Sequence, residues 1–221
     1  MKFKEYADTV EENYEYERQV ADKLHKSGRG TPVDMVAKTS RSLPDTHIID
    51  DDKKLHRLEI KKSHHARFGS IAVHHTPEKG YHISDAARKK FPAYADHVEK
   101  SGILDVMNIE WKPPHKKSEN KDIYKEDKNG AEGVEKFYGH DKAIPYIHIG
   151  NGHGFFKTTD KDPAKLNAPK FHGGIFHLRA RFKDNGRVNK DKTKYHSIAI
   201  ESQVTKNQLG VSHLSLDADP N

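Results

Sequence analysis

The apolar residues of this chain keep a helical period only near its start and then fall mostly into short extended runs. Val10, Tyr14, Ala21 and Leu24 recur at spacings of three, four and seven, which predicts a helix over residues 4–27, with Gly28 and Gly30 as its stop. Strand-like runs follow at Val33–Thr39, Thr46–Asp50, Leu55–Lys62 and Ser70–His75. The cluster Asp51–Asp52–Lys53–Lys54 reads as a hairpin turn between the second and third of them. Ser84 is a suitable N-cap for a helix towards Lys100, with Gly102 after its end, and Pro92 must kink or split that helix. Met107, Ile109 and Trp111 alternate as a strand would. Residues 113–136 are almost wholly polar and read as a linker or long insertion. Beyond Ala143, extended runs return at Tyr146–Gly150, Gly154–Thr158, Ile175–Lys183 and Ser197–Val204.

This order predicts an α/β fold in three parts: a core over 1–112, a polar linker or insertion over 113–142, and a strand-rich C-terminal region over 143–221. Leu, Ile, Val and Phe make up about a fifth of the 221 residues, near the level where disorder sets in. The net charge is only +6 and the apolar residues are clustered, so a folded but small core is expected. The chain has no cysteine, which excludes disulfides and thiolate metal sites. No signal-peptide pattern and no run of 18 apolar residues is present, so a soluble, cytoplasmic protein with no membrane contact is expected. The pI of about 9.2 mildly favours a polyanionic partner.

The chemistry concentrates in Pro44-Asp45-Thr46-His47-Ile48-Ile49-Asp50 and in Leu58-Glu59-Ile60-Lys61. Residues two apart on a strand share a face, so Glu59 and Lys61 project together while Leu58 and Ile60 face a core. A solvated strand face would carry the same pattern. Asp45, however, precedes Glu59 by fourteen residues across the predicted hairpin, and two carboxylates on adjacent strands can hold a hard divalent cation. Such a cation activates water and neutralises charge on a phosphate, and a nearby lysine can position or deprotonate that water. Asp45 shares a face with Glu59 only if the hairpin loop holds an odd number of residues, as with Asp51–Lys53 or Asp51–Leu55. An even loop without a bulge would turn Asp45 away and leave Asp34 or Asp50 as the ligand. Glu17 falls on the apolar stripe of the first helix. It either meets a metal or the lysine there, or sits at the stripe edge in solvent or beside Arg18 or Lys23.

This arrangement resembles the PD-(D/E)XK nuclease superfamily, over roughly residues 1–112. The resemblance implies a restriction-endonuclease-like core of a helix, a three-stranded meander, a helix and a strand. It further implies that Asp45, Glu59 and the Ile60 carbonyl ligate Mg²⁺ or Mn²⁺, and that Lys61 is the catalytic lysine. Some members carry a glutamate on the first helix, which Glu17 would match. The expected reaction is phosphodiester hydrolysis in DNA, with cleavage more in keeping with an endonuclease. RNA as substrate and a homodimeric state both stay open.

Two other functions compete. Phe176, Leu178, Ala180 and Phe182 form an apolar strand face, and His177, Arg179, Arg181 and Lys183 a basic one. Arg179, Arg181 and Lys183 could track a phosphate backbone, as in a non-catalytic nucleic-acid-binding module, or be the wet side of a sheet. The 17 histidines, with pairs at His64–His65 and His74–His75, admit a histidine-rich zinc protein, although none shows a zinc-motif spacing. Gly150–Gly154 lacks the Gly-Lys-Ser/Thr of a phosphate loop and reads as a tight turn.

Overall fold

The computed structural model describes residues 2–32, 45–110, 122–188, 194–209 and 212. In chain order its elements are α1 (Lys2–Lys26), β1 (Thr46–Ile49), β2 (Leu55–Lys61), β3 (Arg67–Thr76), β4 (Gly80–Ile83), α2 (Asp85–Lys90), α3 (Pro92–Lys100), α4 (Ile103–Glu110), β5 (Ile123–Asp127) and α5 (Gly130–Val134). A π-helical segment (Glu135–Asp141) and β6 (Tyr146–Ile149), β7 (Gly154–Lys157), β8 (Gly173–Val188) and β9 (Lys194–Leu209) complete them. The fold is mixed α/β with two sheets, in the orders β1-β2-β6-β7 and β4-β3-β9-β8-β5. Two compact units interleave along the chain, rather than following one another with a break at a central linker. One comprises Met1–Ala66, Lys142–Gly173 and Gln208–Asn221; the other comprises Arg67–Asp141 and Gly174–Asn207.

In the first unit, α1 lies on β2. Its buried stripe is Tyr16, Val20, Ala21 and Leu24, of which Tyr16, Val20 and Leu24 pack in a core with Ile48, Leu58, Ile60, Tyr146 and Phe155. Leu24, Ile48 and Leu58 are fully buried, each worth about 1.5–3 kcal/mol by leaving water. The expected stripe shares Ala21 and Leu24 with this one; Tyr14 and Glu17 are half-buried at its edge, and the side chain of Val10 lies outside the described ones. The expected strand Val33–Thr39 also lies outside the described residues.

The β1–β2 hairpin closes through Asp50 N donating to Lys54 O (3.1 Å) and Lys53 N to Asp50 O (3.0 Å). Three residues, Asp51–Lys53, form the loop, and Lys53 at φ +63° takes the left-handed position that such loops require. Asp50 fixes the turn, since its carboxylate accepts from Lys54 N (2.8 Å) and lies 2.8 Å from His56 Nε2. β2 then pairs in parallel with β6, which is buried along its whole length as a central strand should be. Residues 151–153 make the expected tight turn into β7, with Asn151 and Gly152 at positive φ.

In the second unit, Ser84 caps α2 by accepting from Ala87 N (3.2 Å), and Pro92 opens α3, so the predicted helix is split at the proline. Two expectations fail here. Residues 103–110 are helix, not strand: Met107 is fully buried while Ile109 is 83% exposed, opposite fates for positions that one strand face would share. Trp111 lies outside the described residues. The expected linker is ordered from Asp122 onward as β5, α5 and the π-helical segment. Its few anchors suffice: Val134, Phe137 and Tyr138 are buried, and buried Asp127 lies 2.8 Å from buried His97. The alternating run at 176–180 is part of β8, with Phe176, Leu178 and Ala180 all fully buried as predicted.

Candidate active site

The hairpin register decides which acids meet. Thr46 pairs with Leu58, His47 with Arg57 and Ile49 with Leu55, and Asp45 lies one residue beyond the paired strand, beside Leu58 and Ile60. Asp45 N donates to Leu58 O (3.1 Å), and Asp45 Oδ2 accepts from Ile60 N (2.6 Å). These contacts hold the Asp45 carboxylate near Glu59 and Lys61, whose charges both act on it. A strand residue turns its N–H and C=O to the same neighbour. Ile60, whose N–H faces Asp45, therefore turns its carbonyl to the same edge, whereas Lys61 O accepts from Gly150 N on the β6 side (2.8 Å). Pro44 and Asp34 lie outside the described residues. Asp50 stands at the far end of β1, committed to the turn.

Glu59 is only 5% exposed and each of its oxygens is held by a lysine: Lys61 Nζ is 2.6 Å from Oε1, and Lys142 Nζ 3.3 Å from Oε2. Lys142 escaped sequence reasoning. It straddles this face of β2, since its carbonyl accepts from Arg57 Nη1 (3.0 Å) while its ammonium reaches Glu59, two residues on. The charges of Asp45, Lys61 and Glu59 all act on the Glu17 carboxyl. The helix therefore delivers its glutamate to the cluster, and Arg18 pairs instead with Glu15.

Three carboxylates and two ammonium groups thus share a partly desolvated space. Burial, then repulsion by Asp45 and Glu59 against the pull of Lys61, pushes Glu17 up to about 8. Burial and Glu59 push Asp45 up to about 6, although Lys61, the Ile60 amide and Lys142 oppose this. Burial acts on Glu59 the same way, but Lys61 and Lys142 outweigh it and hold Glu59 below the ordinary carboxylate range.

A Mg²⁺ or Mn²⁺ ion fits this donor set in chemistry. All the donors are oxygens, and the crowding that makes Asp45 and Glu17 hard to ionise is what a divalent cation relieves. As the side chains stand, the lysines occupy Glu59; among the described residues no group of three or more His, Cys, Asp or Glu side chains is arrayed to hold a metal ion.

The other predicted features fare differently. Rings of His64 and His65 lie 3.9 Å apart, and His64 and His153 5.5 Å apart. Burial and the two neighbouring imidazoles lower the basicity of His64, but the three do not form a ligand array. His74 and His75 are exposed on β3. On β8, Arg179 Nε donates to Asp122 Oδ2 (2.8 Å) and Arg181 Nη1 lies 3.6 Å from Oε2 of buried Glu201, whose Oε1 accepts from Arg67 (2.8 Å). Both arginines are thus partnered by carboxylates. The side chain of Lys183 lies outside the described ones. Among the described residues, no helix is long and apolar enough to cross a membrane. Comparison of the chain with protein-family models, with curated proteins and with solved structures finds no match to any of them.

Proposed function

We propose that this protein is a Mg²⁺- or Mn²⁺-dependent nuclease that hydrolyses phosphodiester bonds in DNA, built on a PD-(D/E)XK, restriction-endonuclease-like core. The observation that carries the reading is Asp45 held by the Ile60 amide beside Glu59, with Lys61 on Glu59. A helix carrying Glu17 followed by a hairpin carrying Asp45 and Glu59-x-Lys61 supports this reading.

Asp45, Glu59 and the Ile60 carbonyl would hold the ion, with Glu17 beside them. When bound, the ion would supply a polarised water and charge neutralisation at the phosphate. Lys61 would orient that water, or meet charge on the phosphate oxygens. Ile60 N–H fixes Asp45, and Lys142 fixes Glu59, so the face is preorganised before substrate arrives.

The test is incubation with linear and circular DNA. Cleavage should require Mg²⁺ or Mn²⁺, stop on chelation and return on adding either ion back; cutting of closed circles marks an endonuclease. Cleavage that survives full chelation would refute the reading.

A further inference from the structure

We propose that Lys61 and Lys142 together guard Glu59 against a divalent cation, so that metal and phosphodiester substrate bind cooperatively. The inference rests on the nuclease reading and deepens it by naming how its site is regulated.

The two ammonium groups sit on different oxygens of one nearly buried carboxylate, at 2.6 and 3.3 Å. Lys142 cannot easily withdraw into water. Its side chain is 9% exposed and its backbone is tied to Arg57 on the same strand. A cation that takes Glu59 as a ligand must therefore displace lysine from it while both ammoniums stay close, which is repulsive. A phosphate group changes the balance, because its oxygens accept from the ammoniums as Glu59 gives them up. Metal alone meets two cations; metal with phosphate meets two cations and an anion. By linkage, substrate must tighten metal binding by the same factor that metal tightens substrate binding. The site would thus bind metal more weakly away from substrate.

The experiment is calorimetric titration of Mn²⁺ into wild-type protein, Lys142→Met and Lys142→Arg. Each titration is run alone and with a short duplex whose bridging 3′ oxygens are replaced by methylene, which keeps the phosphate charge and cannot be cleaved. Methionine keeps the apolar stem without the charge, and Lys142→Gln replaces it should that variant not fold. The wild type should bind Mn²⁺ at least about tenfold tighter with duplex, a usual size for coupled sites. Lys142→Met should bind Mn²⁺ alone more tightly than wild type and show a smaller effect of duplex, and Lys142→Arg should behave as wild type. Weaker or unchanged Mn²⁺ binding by folded Lys142→Met, or a wild type indifferent to duplex, overturns the inference. If Mn²⁺-dependent cleavage persists in that case, the nuclease reading stands without it; if the wild type binds no Mn²⁺ in either titration, both fall.

Discussion

The Asp45 carboxylate is clamped by the Ile60 amide at 2.6 Å, between Glu59 and Lys61 in sequence, at the open end of the β1–β2 hairpin. That one relationship sets the spacing of the acids and the side of β2 on which they act. It depends on the loop Asp51–Lys53 holding three residues. Asp45→Ala removes that carboxylate without touching Ile48 and the rest of the buried core. Mn²⁺ binding measured by calorimetry should be lost with little change in far-ultraviolet circular dichroism.

The same loop carries a strained position. Lys53 sits at φ +63°, which costs a non-glycine residue about 1 kcal/mol, partly offset by the entropy that glycine loses on folding. Lys53→Gly should therefore stabilise the protein by about 0.5 kcal/mol in urea unfolding. A loss of stability would contradict the turn geometry.

Acidity gives a further test. Asp45 and Glu17 have folded-state values raised to about 6 and about 8. A raised carboxylate stabilises the fold below its unfolded value, and that contribution is lost as pH rises through the folded value. In chelator, thermal stability should fall between about pH 5 and pH 9 by about 2–4 °C or more, the shift that 1 kcal/mol causes in a chain this long. Mn²⁺ should flatten the dependence, and Glu17→Gln should remove its upper part. Stability that climbs with pH across this range would contradict the charge cluster.

Sequence alone expects Arg179→Ala and Arg181→Ala to leave stability nearly unchanged and to make the salt dependence of DNA affinity shallower by about two units, about one for each lost phosphate contact. The ion pairs change both expectations. Glu201 is 1% exposed and shares Arg67 and Arg181, so Arg181→Ala leaves a buried carboxylate with one partner fewer and should cost about 1–2 kcal/mol. The double variant should shift the salt slope by less than about one unit, since both charges are already met by carboxylates.

What the sequence made legible was local. The odd hairpin, the Ser84 cap, the split at Pro92 and the alternation of β8 each follow from a few adjacent residues whose backbone chemistry admits little choice. What it hid was long-range. Lys142 lies 83 residues from Glu59, and an isolated lysine in a polar stretch carries no sign of its partner. Residues 103–110 read as a strand because Met107 and Ile109 alternate. The helix is set instead by burial of Ile103 with Met107, and Asn108 ties it to β4 by accepting from Tyr81 N (2.6 Å). Glu17 was legible as a carboxylate at an apolar stripe, but its neighbours Asp45 and Glu59 became visible only with the fold.

The central claim meets its most direct test in Mn²⁺-dependent cleavage of closed circular DNA by the wild type and by Lys61→Ala, compared at equal DNA occupancy. Lys61 is 16% exposed on the face opposite the core, so its loss should leave the fold standing. The account predicts that the variant binds DNA within a few-fold of wild type and cleaves about 10²–10⁴ times more slowly, the size of a lost general acid–base contribution. Cleavage by Lys61→Ala at the wild-type rate would contradict it.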